Sequence, residues 1–146
     1  METYDASGEK DMAEKRRIVI KVGTSTLTHA SGKTNFRRME ELVRVIADLQ
    51  NAGYLVSLVT SGAIGVGVGK LGLGGRPKDT PGKQAAATVG QLELMYMYDK
   101  FFGELGQKVG QLLITRGDME DPARHQNLLS AFERLFAWGV IPIINE

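Results

Sequence analysis

The stretch YLVSLVTSGAIGVG, residues 54–67, decides the fold of this chain. Its first seven residues are mostly apolar and rich in β-branched side chains, which is typical of a strand buried on both faces of a sheet. The strand runs directly into Ser61-Gly62-Ala63, where a hydroxyl and several backbone N–H groups follow the strand end. Such a turn suits the binding of a carboxylate or a phosphate, and it equally suits close packing of small residues between a helix and the sheet.

Three similar apolar runs alternate with helical patterns along the rest of the chain. Strands are predicted over residues 17–22, 109–115 and 140–144, and helices lie between them, ended at Gly53 and Gly139. This alternation indicates an α/β fold with a mainly parallel sheet covered on both faces. Ligands of such sheets bind beyond the carboxyl ends of the strands, here near residues 22–24, 60–62 and 144–146. No helix follows the last strand, so we expect a domain truncated at its C-terminus.

The composition restricts the classes of function. The chain has 146 residues, no cysteine and a net charge of +1, which excludes disulfides and cysteine nucleophiles and gives no attraction to nucleic acid or anionic membrane. No apolar run approaches the length of a membrane span, and the N-terminus lacks a signal peptide. We therefore expect a cytoplasmic protein with small-molecule ligands, preceded by a disordered leader over residues 1–16.

A second candidate turn follows the first strand, where Lys21 precedes Gly23-Thr24-Ser25. A glycine turn beside a lysine can bind a phosphate, although a solvated lysine next to an ordinary turn would give the same pattern. The formal GxGxxG run at residues 67–72 is rejected as a dinucleotide fingerprint, because it does not lie in the first turn after its strand. His29 and His125 are interpreted as surface residues, and no residue is assigned to a metal.

Five motifs, in this order along the chain, resemble the glutamate 5-kinases of the amino-acid kinase superfamily: IVIKVGTSTLT (18–28), LVTSGAIGVG (58–67), KQAAATVGQ (83–91), GQLLITRGDMED (110–121) and VIPIINE (140–146). The resemblance implies a three-layer αβα sandwich, of which residues 17–146 would be the N-terminal, glutamate-binding part. It implies ATP-dependent phosphorylation of the γ-carboxylate of L-glutamate, with Mg²⁺, as the first step of proline biosynthesis. It also implies a homo-oligomer, and a chain that is inactive without the missing part.

The resemblance also implies a role for individual residues. Lys21 matches a catalytic lysine that contacts the ATP phosphates, and Gly23 and Thr24 match the adjoining phosphate-facing turn. The glutamate-binding residues are matched by Ser61, Gly62, Ala63 and Asn145.

Three alternatives stay open. The chain could be another carboxylate or carbamate kinase of the superfamily, or the kinase part of a bifunctional pyrroline-5-carboxylate synthase. It could also be a non-catalytic amino-acid-binding module, although such a module would have no need of a phosphate-facing Lys21.

Overall fold

A computed structural model of the protein describes residues 15–145. Most of the predicted leader over residues 1–16, and Glu146, therefore lie outside the described residues. Within residues 15–145, four parallel strands form one sheet in the order β1-β2-β4-β3. They are β1 (Arg17–Val22), β2 (Leu55–Thr60), β3 (Lys108–Leu112) and β4 (Val140–Asn145). The predicted parallel α/β sheet is confirmed.

Helices connect the strands and cover the two faces of the sheet. They are α1 (Thr24–Leu27), α2 (Phe36–Asn51), α3 (Ala63–Leu71), α4 (Thr80–Glu104), α5 (Arg116–Glu120) and α6 (Pro122–Ala137). Glycines end two of them as predicted, because Gly53 and Gly139 follow α2 and α6 with φ angles of +96° and +68°. Only glycine adopts this backbone conformation without strain.

The main core lies on the sheet face covered by α2 and α4. Alternate residues of the strands, such as Val56, Leu58 and Ile143, are buried there against the two helices. On the opposite face, Phe136 of α6 packs against Leu55 of β2. The three layers agree with the expected αβα sandwich, but the α6 layer covers its face only in part.

Helices α3 and α4 pack backbone to backbone. A Cβ atom on Gly90 of α4 would lie 2.7 Å from the carbonyl carbon of Ala63, and one on Gly67 of α3 would lie 2.7 Å from that of Ala86. Side chains at these positions would hold the helices apart. Gly67 and Gly90 therefore serve close packing. The GxGxxG run of residues 67–72 lies inside α3 and its C-terminal cap, in agreement with its rejection as a nucleotide loop.

The structure differs most from the predicted elements at the end of β3 and at helices α1 and α3. The strand predicted over residues 109–115 ends at Leu112, because Thr115 instead caps α5: its hydroxyl accepts from the N–H of Asp118, and the Asp118 carboxylate accepts from the Thr115 N–H at 2.7 Å. Helices α1 and α3 lie where the sequence indicated turns. The sequence does not predict helix α3, because glycine has a low helix propensity. The helix is stabilised instead by its contact with α4.

Candidate functional site

Three strand ends meet at one edge of the sheet. Val22 at the end of β1 is paired with Thr60 of β2, which is paired in turn with Asn145 of β4. The expectation that the sequence-predicted turns share the carboxyl edge is confirmed. Because paired residues of parallel strands share a sheet face, Thr60 and Asn145 lie on the α4 side, whereas Lys21 extends from the α6 side and is exposed to solvent.

The turns after β1 and β2 are in direct contact. The N–H of Ser61 donates to the carbonyl of Val22 at 3.1 Å, and the Ser61 hydroxyl donates to the same carbonyl at 3.4 Å. Gly62 has a φ of +109°, and a Cβ atom there would lie 3.2 Å from both Cα and Oγ1 of Thr24. A Cβ atom on Gly65 would lie 2.6 Å from Cγ2 of Thr24. Glycine at these two positions therefore lets Thr24 lie against the start of α3.

The helices that begin at these turns differ from the other helices in how they start. Helix α1 begins after Gly23 and helix α3 after Gly62, and neither has a side chain that caps its N-terminus. The other four described helices are capped by side chains: Asn35, Asp79, Thr115 and Asp121. The first N–H groups of a helix lack partners within it and attract anions. The two uncapped turns thus suit a carboxylate or a phosphate.

A buried pair of hydroxyls, those of Thr60 and Tyr98, stabilises the turn that follows β2. The hydroxyls of Thr60 and Tyr98 lie 3.2 Å apart, and the Thr60 hydroxyl also lies 3.3 Å from the carbonyl oxygen of Ser61. Burial raises the pKa of Tyr98 to about 12, and the bond to Thr60 opposes part of that rise. Tyr98 therefore stays neutral and links the turn to helix α4.

Two side chains beside this edge have buried polar atoms without a hydrogen-bond partner among the described residues. They are Oδ1 of Asn145 and both amide atoms, Nε2 and Oε1, of Gln91 on α4. Asn145 is one of the predicted site residues, whereas Gln91 was not singled out. Its only signal in the sequence is that it ends the motif KQAAATVGQ.

The structure brings together all the predicted site residues, although Lys21 approaches the edge from the other face. Among residues 15–145, no three His, Asp or Glu side chains are grouped closely enough to hold a metal ion. No helix in the same part of the chain combines the length and the apolar character needed to cross a membrane. The candidate site is therefore a set of backbone N–H groups, hydroxyls and amides with one lysine at its border.

Comparison with known proteins supports the resemblance to the amino-acid kinases. The sequence model of the amino acid kinase family matches residues 16–146. The glutamate 5-kinase of Clostridium acetobutylicum is 56% identical over 138 residues, which are 94% of this chain and 52% of that protein. The glutamate 5-kinases of Moorella thermoacetica and Symbiobacterium thermophilum are 54% and 56% identical, over 92% and 90% of this chain and 36% and 50% of those proteins. The chain thus spans about a third to a half of the length of these relatives.

Proposed function

Because the chain belongs to the amino acid kinase family, we propose that it provides the substrate-binding part of a glutamate 5-kinase, which transfers the terminal phosphoryl group of ATP to the γ-carboxylate of L-glutamate. The observation that carries this proposal is the contact between two uncapped glycine turns at one edge of the sheet. One turn suits each of the two anions that must approach each other.

The reaction requires the two substrates to be aligned, and it does not require a general base. A glutamate side chain has a pKa of about 4.3 and is already ionised at neutral pH, so its γ-carboxylate oxygen can attack the terminal phosphorus directly. A bond forms from that oxygen to phosphorus, and the bond to the bridging oxygen of ADP breaks. The products are an acyl phosphate and ADP. Such transfers depend on alignment and on stabilising the charge of the moving phosphoryl group.

We assign the two turns to the two substrates. Ser61, Gly62 and Ala63 hold glutamate together with Asn145, since this turn lies on the sheet face that carries Asn145. Lys21, Gly23 and Thr24 face the phosphates, because Lys21 brings positive charge to the border of the same edge. The N-terminus of α3 points at the developing negative charge between them and stabilises it.

ATP fits this chain through backbone N–H groups and Lys21. Mg²⁺ would neutralise phosphate charge and would be held mainly by the phosphates, since the described residues offer no group of acidic side chains for it. The product acyl phosphate suits the first step of proline biosynthesis. A cytoplasmic location and a homo-oligomeric state are further parts of the proposal, based on the sequence.

A chimera tests this function. Residues 15–146 would replace the matching half of the Clostridium acetobutylicum relative, and glutamate-dependent ADP formation would be measured with a coupled assay. We expect turnover, and we expect Lys21→Met to lower kcat by roughly 10²–10³-fold, the scale for loss of one charge-stabilising group. The matched control is Lys78→Met, which replaces an exposed lysine in the segment between α3 and α4.

Two outcomes would contradict the proposal. A chimera that binds L-glutamate but produces no ADP would favour a non-catalytic amino-acid-binding module. A Lys21→Met chimera with the kcat of the Lys78→Met control would remove Lys21 from the reaction.

A further inference from the structure

The side-chain amide of Gln91 is buried and makes no hydrogen bond within the described residues. Neither its Nε2 nor its Oε1 has a hydrogen-bond partner there. Rotating the amide by half a turn, which swaps the nitrogen and the oxygen, would therefore still leave both atoms at positions without a partner. An amide can donate two hydrogen bonds and accept two, and burial without them is destabilising. In native proteins, such a group calls for an explanation, of which a catalytic role or a bound water or ion are examples.

The position of Gln91 places it over the glutamate-binding turn. Its neighbour Gly90 packs against the carbonyl of Ala63, the first residue after Ser61-Gly62. Seven residues further along α4, Tyr98 reaches Thr60 at the end of β2. Residues seven apart share a helix face and lie about 10 Å apart along the axis. Gln91 therefore lies beyond the carboxyl edge on the α4 side of the sheet, which is also the face on which Asn145 lies.

We propose that Gln91 is a further substrate-binding residue, which with Asn145 binds the α-ammonium and α-carboxylate groups of the amino acid. This inference rests on the proposed function and extends it. Two acceptors without partners, Oε1 of Gln91 and Oδ1 of Asn145, match the N–H groups of an ammonium, and Nε2 of Gln91 matches a carboxylate. With its α-carbon end held there, the amino acid can direct its γ-carboxylate toward the uncapped turns.

The stability of the ligand-free chain provides the first test. Gln91→Met keeps the side-chain volume and removes an amide that has no partner, so we expect the thermal midpoint to rise by about 3–5 °C. The matched control is Gln107→Met, because Nε2 of Gln107 does donate to Oδ1 of Asn51, at 2.8 Å. The control is expected to leave the midpoint unchanged or to lower it. A Gln91→Met midpoint below that of the unsubstituted chain would overturn the proposal, since it would mean that the amide has a structural partner.

Ligand discrimination provides the second test. Calorimetric titrations would compare L-glutamate with glutarate, which lacks the ammonium group, in the unsubstituted chain and in Gln91→Met. We expect the Kd for L-glutamate to rise about tenfold or more in Gln91→Met, and the Kd for glutarate to rise by a smaller factor, because glutarate loses only the contact of its carboxylate with Nε2. An equal rise for both ligands would indicate a structural role and overturn the proposal. If the unsubstituted chain binds no L-glutamate, the proposed function fails and this assignment of Gln91 fails with it; if the chain binds L-glutamate but Gln91→Met weakens both ligands equally, only the assignment of Gln91 fails.

Discussion

Adding one methyl group at Gly90 should separate α3 from α4 and disrupt the site without touching a substrate. A Cβ atom there would overlap the Ala63 carbonyl, with its carbon only 2.7 Å away. Ordinary contacts between carbon atoms are about 3.5–4.0 Å, so α3 would have to move by about 1 Å. The overlapped group is backbone and cannot rotate away. Overpacking of a core costs about 1–3 kcal/mol, and we expect Gly90→Ala to lie at or above the upper end of that range.

Gly103→Ala is the matched control on the same helix. A Cβ atom on Gly103 would meet nothing within 4 Å. The control should therefore be neutral or stabilise the protein by up to about 1 kcal/mol, because alanine is the better helix former. Urea denaturation at equilibrium gives the two free energies of unfolding. A calorimetric titration of each variant with L-glutamate then reports on the Ser61-Gly62 turn, which α3 carries.

We expect the two variants to differ by about 3–4 kcal/mol in their free energy of unfolding, and we expect Gly90→Ala to lose glutamate binding. If Gly90→Ala were as stable as Gly103→Ala and bound glutamate equally well, the close backbone packing would not be what positions the turn.

Three further predictions follow from the site and the sheet. Ser61→Ala should weaken glutamate binding by about 1–3 kcal/mol, the value for a hydrogen bond to a charged group, and leave ATP binding unchanged; the reverse result would exchange the roles of the two turns. Tyr98 has a pKa of about 12 in the folded protein and about 10 when unfolded, so about 2–3 kcal/mol of stability should be present below pH 10 and be lost as the pH rises toward 12. Denaturation series should show that loss with the exposed-site control Tyr96→Phe but not with Tyr98→Phe. The 146-residue chain by itself should self-associate in light scattering, because Val19 is 70% exposed on the sheet face that α6 covers only in part. The same chain should show no glutamate-dependent ATP turnover, because phosphoryl transfer depends on complete positioning of both substrates and the chain spans only about a third to a half of the length of its relatives. A monomer that turns over ATP would contradict this last prediction.

Much of the architecture could be predicted from the sequence because local patterns and tertiary packing agree. The run RIVIKV predicts β1 with its observed bounds, and Asp121-Pro122 marks the start of α6 as a cap and first turn should. Helix α3 could not be predicted in this way. Three glycines within its nine residues weaken its intrinsic helix propensity, and only the contact with α4 compensates.

Some features of the candidate site could likewise be predicted from the sequence, and others could not. The rule that ligands bind at the carboxyl ends of parallel strands predicts that the turns at Gly23 and Ser61 lie near each other. The contact of Thr24 with Gly62, and the buried amide of Gln91, depend on helix packing distances that have no signature in a single sequence. A glutamine in a helix looks like a surface residue until its surroundings are known.

Hydrogen exchange with and without L-glutamate tests most directly whether the Ser61-Gly62 turn at this edge of the sheet binds glutamate. Mass spectrometry of the chain would follow backbone amides in peptides that cover residues 22–28 and 59–67, with D-glutamate as the control ligand. We expect L-glutamate to slow exchange most in the peptide 59–67, which carries the turn assigned to glutamate, and D-glutamate to slow exchange in neither peptide. Unchanged exchange in the peptide 59–67, or protection confined to residues 122–137 of α6, would contradict the assignment of the glutamate site to this edge of the sheet.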